Sequence, residues 1–306
     1  MRNAQVSEKA PVGVFVGLAT LDVIHRITKA PAENQKITST AQFVAAGGPA
    51  ANAAVTFAGL GGSAVLVTAL GDDPVADLVR ADLAAFGVHV VDAAAGTRRA
   101  VPVSAVSVIE STGDRSVVSL DAVNSDASPP PDLADLVDGA DVVLVDGHHP
   151  LIARAAAGLA AARATTLVVD AGRWKPVMSD LVPVATDMVC SNDFRLPGTG
   201  SPQETAAALV RSGVRTVVTT HGGGPVEWWS GGESGSVPVE PVVAVDTLGA
   251  GDVFHGAYAY FSTQSESSIT ERIARSARVA ALRCSVVGPR AWLRNLSVAQ
   301  SRKRER

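Results

Sequence analysis

Short, nearly continuous apolar runs recur along this chain, and longer stretches of helical spacing separate them. Val12–Val16, Ala64–Leu70, Asp141–Asp146, Thr165–Asp170, Asp187–Ser191 and Arg215–Thr220 are such runs. They predict parallel strands buried on both faces. Pro74–Phe86 sets Val75, Leu78, Val79, Leu83 and Phe86 at helical spacing, with Pro74 in the first turn and Gly87 at the stop. Leu151–Arg163 and Pro202–Ser212 follow the same pattern. The alternation predicts right-handed crossovers and an α/β fold: a doubly wound sheet with helices on both faces.

Two segments break the rhythm. Ile37–Val44 and Val101–Leu120 read as antiparallel strands, the second with a turn at Ser111-Thr112-Gly113-Asp114. They predict a small sheet projecting from the main one. Ser125–Asp132 is a proline-rich link back to the core.

Composition narrows the function. The 306 residues are 47% hydrophobic, which excludes a disordered chain. The formal net charge of −4 offers no basic field for nucleic acid. Two distant cysteines, Cys190 and Cys284, form no disulfide framework and point to a reducing, cytoplasmic setting. The apolar run Pro11–Leu21 is too short for a membrane span and precedes Asp22 directly, so no membrane association is expected. Arg302–Arg306 reads as a solvated tail.

In such folds ligands lie beyond the carboxyl ends of the strands. The strongest chemical signal is Asp246-Thr247-Leu248-Gly249-Ala250-Gly251-Asp252, which follows the apolar stretch Val242–Val245 and opens an apolar helix. A glycine-rich turn at a helix start leaves backbone N–H groups free to hold an anion. Asp252 would repel that anion, so it makes sense as a base for a hydroxyl attacking a phosphate. Neither the P-loop nor the G-x-G-x-x-G fingerprint is present.

This segment resembles the C-terminal signature of the PfkB (ribokinase-like) carbohydrate kinases. The N-terminal signature is matched by Gly47-Gly48-Pro49-Ala50-Ala51-Asn52-Ala53-Ala54, then Ala58-Gly59-Leu60-Gly61 and Gly71-Asp72-Asp73. The resemblance implies a ribokinase-like three-layer α/β/α sandwich with a mostly parallel sheet and a small β-sheet lid. It assigns about 12–293 to the kinase domain, with lid segments near 18–45 and 97–121 and tails at 1–11 and 294–306. It implies ATP as donor, Mg²⁺, a sugar acceptor and a homodimer paired through the lids.

Residue by residue, Asp252 resembles the catalytic base, and Gly249, Ala250 and Gly251 the amides around the transferring phosphate. Asp22, Gly47, Gly48 and Asn52 match sugar-site positions. Thr247, Thr220, Gly222 and Gly224 match nucleotide positions, although Pro225 replaces a usual glycine of that loop. Asn192-Asp193-Phe194-Arg195 aligns with an N-x-x-E motif tied to Mg²⁺ and phosphate. Asn192 is kept, but Arg195 stands where the glutamate belongs and cannot bind Mg²⁺. Asp193 would hold the metal through water, or Arg195 would meet phosphate directly. The helical Ala277–Arg283 and the loop Cys284–Arg290 border the adenine in that family, with a monovalent cation (K⁺) near Asp246 in some members.

For the substrate, Asp252–Gly256, Leu282–Cys284 and Gly288–Arg290 are similar to the branch that includes sulfofructose kinase. A sulfonate calls for arginine and hydrogen-bond donors. Here His148, with His149 beside it, replaces the arginine, and Ser119 replaces an asparagine in the lid. The reading is an ATP-dependent kinase of a primary sugar hydroxyl, with His148 as a further sugar contact. Sulfofructose kinase, a nucleoside kinase, or a weakly catalytic binding protein are the alternatives; the Arg195 and Pro225 departures motivate the last.

Overall fold

The computed structural model describes residues 9–122, 125–264 and 267–296, so the Arg302–Arg306 tail lies outside the described residues. β1 (Val12–Val16) starts the large sheet, and the chain then leaves it for β2 (Thr20–Ile27) and β3 (Ala41–Gly47) of a second sheet. Helix α1 (Pro49–Gly59) returns to β4 (Ser63–Thr68), and α2 (Pro74–Ala85) leads to β5 (Val88–Asp92). β6 (Val103–Ile109) and β7 (Arg115–Val118) complete the second sheet. The chain then winds through α3 (Leu133–Asp138), β8 (Val142–Val145), α4 (Pro150–Ala162), β9 (Thr166–Ala171), α5 (Met178–Leu181), β10 (Asp187–Ser191), α6 (Pro202–Arg211) and β11 (Thr216–His221). The hairpin β12 (Gly224–Ser230) and β13 (Glu233–Val237) follows, then α7 (Ala250–Ser262) and α8 (Ile269–Cys284).

The large sheet has nine strands in the order β13-β12-β11-β10-β9-β8-β1-β4-β5. It is parallel from β5 to β11, and β12 and β13 are antiparallel. Chain order reverses between β1 and β8, which makes their carboxyl ends the switch point where a ligand cleft opens. Alternate residues feed two cores, as the strand period requires. Phe15, Leu144, Val168 and Val189 meet α1, α7 and α8; Val14, Val145, Leu167 and Met188 meet α4 and α6.

The small sheet runs β3-β2-β6-β7, with β2 and β6 parallel and the outer pairs antiparallel. The expectation of antiparallel pairing throughout is corrected here, because β2, a strand within the expected 18–45 lid segment, pairs parallel to β6. Asp22, His25 and Arg26 interrupt its apolar run. The expected strand at Ile37–Val44 shifts to β3, and the Ser111–Asp114 turn joins β6 to β7. One face packs Ile24, Val106 and Val108 with Phe43 and Leu248. The other leaves Val44, Val103 and Val118 exposed.

Candidate active site

α7 begins at Gly249, whose φ of 69° is left-handed and favours glycine. Ala250 N–H turns back to Thr247 O at 3.3 Å, and Val253 N–H bonds Gly249 O at 2.9 Å. The amides of Gly251 and Asp252 find no hydrogen-bond partner among the described residues. They are first-turn donors at the positive end of a helix dipole, which is the equipment of an anion site.

Asp252 stands in that same turn. Its Oδ2 accepts a hydrogen bond from Asn52 Nδ2 on α1 at 2.8 Å. Burial raises its pKa, and repulsion from Asp170 adds to this; Asn52, His255 and Arg115 pull the other way. The carboxylate is thus moved toward the range in which a general base works. A Cβ placed on Gly249 would lie 3.5 Å from both Asp252 Oδ2 and Asn52 Nδ2, so the turn passes closely over this pair.

Asp22 on β2 is buried, and Thr20 donates to its Oδ1 at 2.7 Å. Burial raises its pKa, against hydrogen bonds from Thr20 and Ser104 and the charge of Arg290. Gly47 lies against it: a Cβ there would come within 2.0 Å of the Asp22 carboxylate. Gly48, with φ 97°, caps α1 and passes so near Leu18 that a Cβ would sit 2.3 Å from its carbonyl oxygen. Asp22, Asn52 and Gly249 line one small cavity together with Ala46, Leu248 and Arg290. Segments far apart in sequence therefore converge on this cavity.

The two histidines each meet a partner. His149 is buried at the start of α4, with Nδ1 2.7 Å from Ser125 Oγ, and burial lowers its pKa to about 4. His148 pairs with Asp146 at 3.1 Å. Asp146 Oδ2 also receives Leu18 N–H at 2.9 Å and Ala50 N–H at 3.2 Å. Burial opposes its charge, yet His148 and Lys175 hold its pKa well below the usual carboxylate range. His148 therefore supports the carboxylate that ties β1 to the start of α1.

Asn192, Asp193, Thr220, Gly222 and Gly224 gather at the carboxyl ends of β10 and β11. His221 bridges them: Nδ1 lies 2.9 Å from Asn192 Oδ1 and Nε2 3.1 Å from Glu227 Oε2. The Thr220–Gly224 loop is a tight hairpin turn, with His221 opposite Gly224. Pro225 falls where the register shifts, so its missing N–H costs no ladder bond. Arg195 folds onto the carbonyls of Asn192 and Phe194 at 2.6 and 2.7 Å. Beyond β13 a groove of about 660 Å³ is lined by Val237, Val239, Ala274 and Ala277, with Glu240 and Arg278 at its polar positions. Thr247 is engaged elsewhere: its hydroxyl donates to Gly113 O of the small sheet at 2.8 Å.

Among the described residues, no three His, Cys, Asp or Glu side chains gather into a metal cage. Mg²⁺ fits here as a companion of a nucleotide, because it keeps several waters and takes one or two carboxylates plus phosphates. Asp193 is an exposed carboxylate of that kind; its contact with Asn192 Nδ2 is a loose 3.5 Å. The place beside Asp246 is different, since the guanidinium of Arg283 is already there, 3.0 Å from Asp246 Oδ1.

Arg290 and His255, with their partners Asp82 and Asp170, had no assigned role in the sequence. Arg290 donates through Nη1 to Asn52 Oδ1 at 3.0 Å and is gripped by Asp82 at 2.9 and 3.2 Å. His255 lies behind Asp252 with Nε2 3.2 Å from Val189 O and Nδ1 3.1 Å from Asp170. Burial works against its charge, but Asp170 outweighs it and the pKa is raised. Only the spacing of His255, three residues after Asp252, gave any signal; the others depend on contacts across the fold.

A doubly wound sheet with a small lid, and a carboxylate beside free helix-start amides, define a phosphotransferase of the ribokinase-like class. Residues 13–295 match the pfkB family carbohydrate kinase model, and the chain belongs to that family. It is 28% identical over 302 residues to the ribokinase of Arabidopsis thaliana, covering 92% of this chain and 78% of that protein. It is 27% identical over 279 residues to the deoxyribokinase of Salmonella typhi, covering 82% and 85%. The structure of Arabidopsis thaliana ribokinase complexed with ribose and ATP superposes with a TM-score of 0.74 at 23% identity, covering 94% of this chain and 99% of that one. The chain is a kinase with an alcohol acceptor, and ATP and Mg²⁺ follow from the family.

Proposed function

We propose that this chain is an ATP-dependent kinase of a small neutral sugar of the pentose class, with Asp252 as general base. The observation that supports this most is the Asn52–Asp252 contact beside the free amides of the α7 start. In the proposed reaction a primary hydroxyl gives its proton to Asp252. Its oxygen bonds the γ-phosphorus as the bond from that phosphorus to the bridging oxygen breaks, and ADP leaves. The Gly251 and Asp252 amides stabilise the charge on the transferring group, while Asp22 accepts hydrogen bonds from other sugar hydroxyls. Asp193 would hold Mg²⁺ through water when it is bound with ATP, and the metal would supply neutralisation of phosphate charge.

The apolar groove beyond β13 suits the adenine. A pentose agrees with the ribokinase and deoxyribokinase relatives. A sulfonated ketose is less well served, because His149 is held neutral and His148 is matched by Asp146. The exposed lid face at Val44, Val103 and Val118 supports pairing of two lids in a homodimer. The two free cysteines suit a cytoplasmic setting.

The test is ADP release with Mg²⁺ across ribose, deoxyribose, ketoses, sugar acids, sulfosugars and nucleosides. Ribose or deoxyribose should give the highest kcat/KM. No acceptor-dependent ADP with any of them would refute the kinase reading; nucleosides leading would move the acceptor class.

A further inference from the structure

The buried guanidinium of Arg283 is the most unusual charge near the proposed phosphate turn. Its side chain is 2% exposed and belongs to the last turn of α8. Nη2 forms an ion pair with Asp246 Oδ1 at 3.0 Å. Nη1 donates to Val286 O at 3.1 Å and Asp246 O at 3.3 Å. Asp246 is held on its other sides by Leu248 N–H at 3.1 Å and Gly288 N–H at 3.0 Å. Cys284 O accepts the amides of Val245 and Asp246 at 2.9 and 3.2 Å. One carboxylate oxygen and two main-chain oxygens thus converge on a single position directly before Gly249–Asp252.

That ring of oxygens is the donor chemistry of a hard monovalent cation such as K⁺. The residues present do not fit one, because the position is filled. Arginine stays protonated in proteins, so its charge cannot be removed to admit a metal ion. A second cation beside a buried guanidinium would meet strong repulsion in a medium that screens poorly. An arginine left here without a counter-charge would be strongly unfavourable; Nη1 has two carbonyl acceptors, and Nη2 meets the Asp246 charge as an ion pair without a hydrogen bond.

We propose that Arg283 is a resident cation of the phosphate turn, which fixes the turn through Asp246 and makes the protein independent of K⁺. It is a positioning residue: its charge orients Asp246 and the loop at Val286, and these set the path into the α7 amides. The functional part of the inference rests on the kinase reading above. The structural part, a turn that needs no added cation, does not.

The test titrates KCl against tetramethylammonium chloride at matched ionic strength, reading turnover with MgATP and ribose, nucleotide affinity and the thermal midpoint. For the wild-type chain all three should follow ionic strength alone. Arg283→Ala opens the ring, and its turnover should fall about ten-fold or more, with partial rescue by K⁺ and not by tetramethylammonium. Its midpoint should also become K⁺-dependent. Arg283→Lys keeps a charge and should remain insensitive to K⁺. If Arg283→Ala does not fold, the wild-type and Arg283→Lys titrations decide. A K⁺-selective rise in wild-type turnover or midpoint overturns the proposal, as does an Arg283→Ala protein that folds and gains no K⁺ response. Absence of ADP formation in every medium would count against the kinase reading alone, because the midpoint titration still reports on Arg283.

Discussion

Arg290→Met removes the side chain that orients Asn52. Arg290 donates to Asn52 Oδ1, to Asp82 Oδ2 twice and to Ala46 O at 2.7 Å. With Oδ1 held, the amide presents Nδ2 to Asp252. Released, the amide can flip and set its carbonyl oxygen against the carboxylate. A hydrogen bond to a charged group is worth about 1.5–3 kcal/mol, so kcat/KM should fall about 10- to 100-fold. Stability should fall by about 1–3 kcal/mol, because Asp82 loses its partner but keeps some access to water. Arg290→Lys keeps the charge without the fork and should be intermediate. The assay is a double-mutant cycle with Asn52→Ala, reading kcat and KM on purified proteins of checked thermal midpoint. If Arg290 acts through Asn52, the double variant should lose little more than Asn52→Ala alone, a coupling of about 1 kcal/mol or greater. Additive losses, or an Arg290→Met enzyme with unchanged kcat/KM, would refute the reasoning.

Asp252→Asn should lower kcat by about 10²–10⁴ while calorimetry shows nucleotide binding retained, since amide and carboxylate have nearly the same shape. Gly48→Ala forces a side chain into a φ of 97° and to within 2.3 Å of Leu18 O; thermal melts should show a loss of about 1–3 kcal/mol. His149 sets part of the acid limit. Its ordinary pKa of 6.5 falls to about 4 in the fold, so between these values the unfolded chain binds the extra proton and stability drops as pH falls. The full effect is about 3 kcal/mol. His149→Gln should flatten that part of the profile relative to wild type, and parallel profiles would exclude the buried neutral ring as the cause.

The inner parallel strands and β11 were legible because burial on both faces leaves a run of apolar residues, whereas the parallel edge strand β5 carries His89 and Asp92 and was not read. β2 was missed for the same reason: it carries Asp22 toward the cavity and Arg26 toward Val245, whose carbonyl it reaches at 2.9 Å. The β12–β13 hairpin hid behind Gly231 and Gly232, which supply its turn but weaken any strand pattern. In the site, Gly48, Asn52, Gly249 and Asp252 could be found because each belongs to a local turn-to-helix segment. Arg290 could not, because its contacts with Asp82 and Asn52 span 208 and 238 positions. The burial of His149 was not legible, because nothing local announces that Ser125 and Thr68 enclose its ring.

The small sheet and the phosphate turn behave as one unit. Gly113 O, on the β6–β7 turn, accepts both Thr247 N–H at 3.0 Å and the Thr247 hydroxyl at 2.8 Å. A Cβ on Gly113 would lie 2.8 Å from Asp246 N, so the two backbones touch with no room for a side chain. Leu248, inside the turn, packs among Ile24, Val106 and Val108 of the lid. Swinging the lid away would break these contacts at the residues that lead into the α7 amides. The docked small sheet and the shaped turn are therefore one state. Thr247 has a single hydroxyl proton, and in this state Gly113 receives it. A hydrogen bond from Thr247 to a nucleotide phosphate would require the hairpin to let go, so that contact and this docked lid exclude each other.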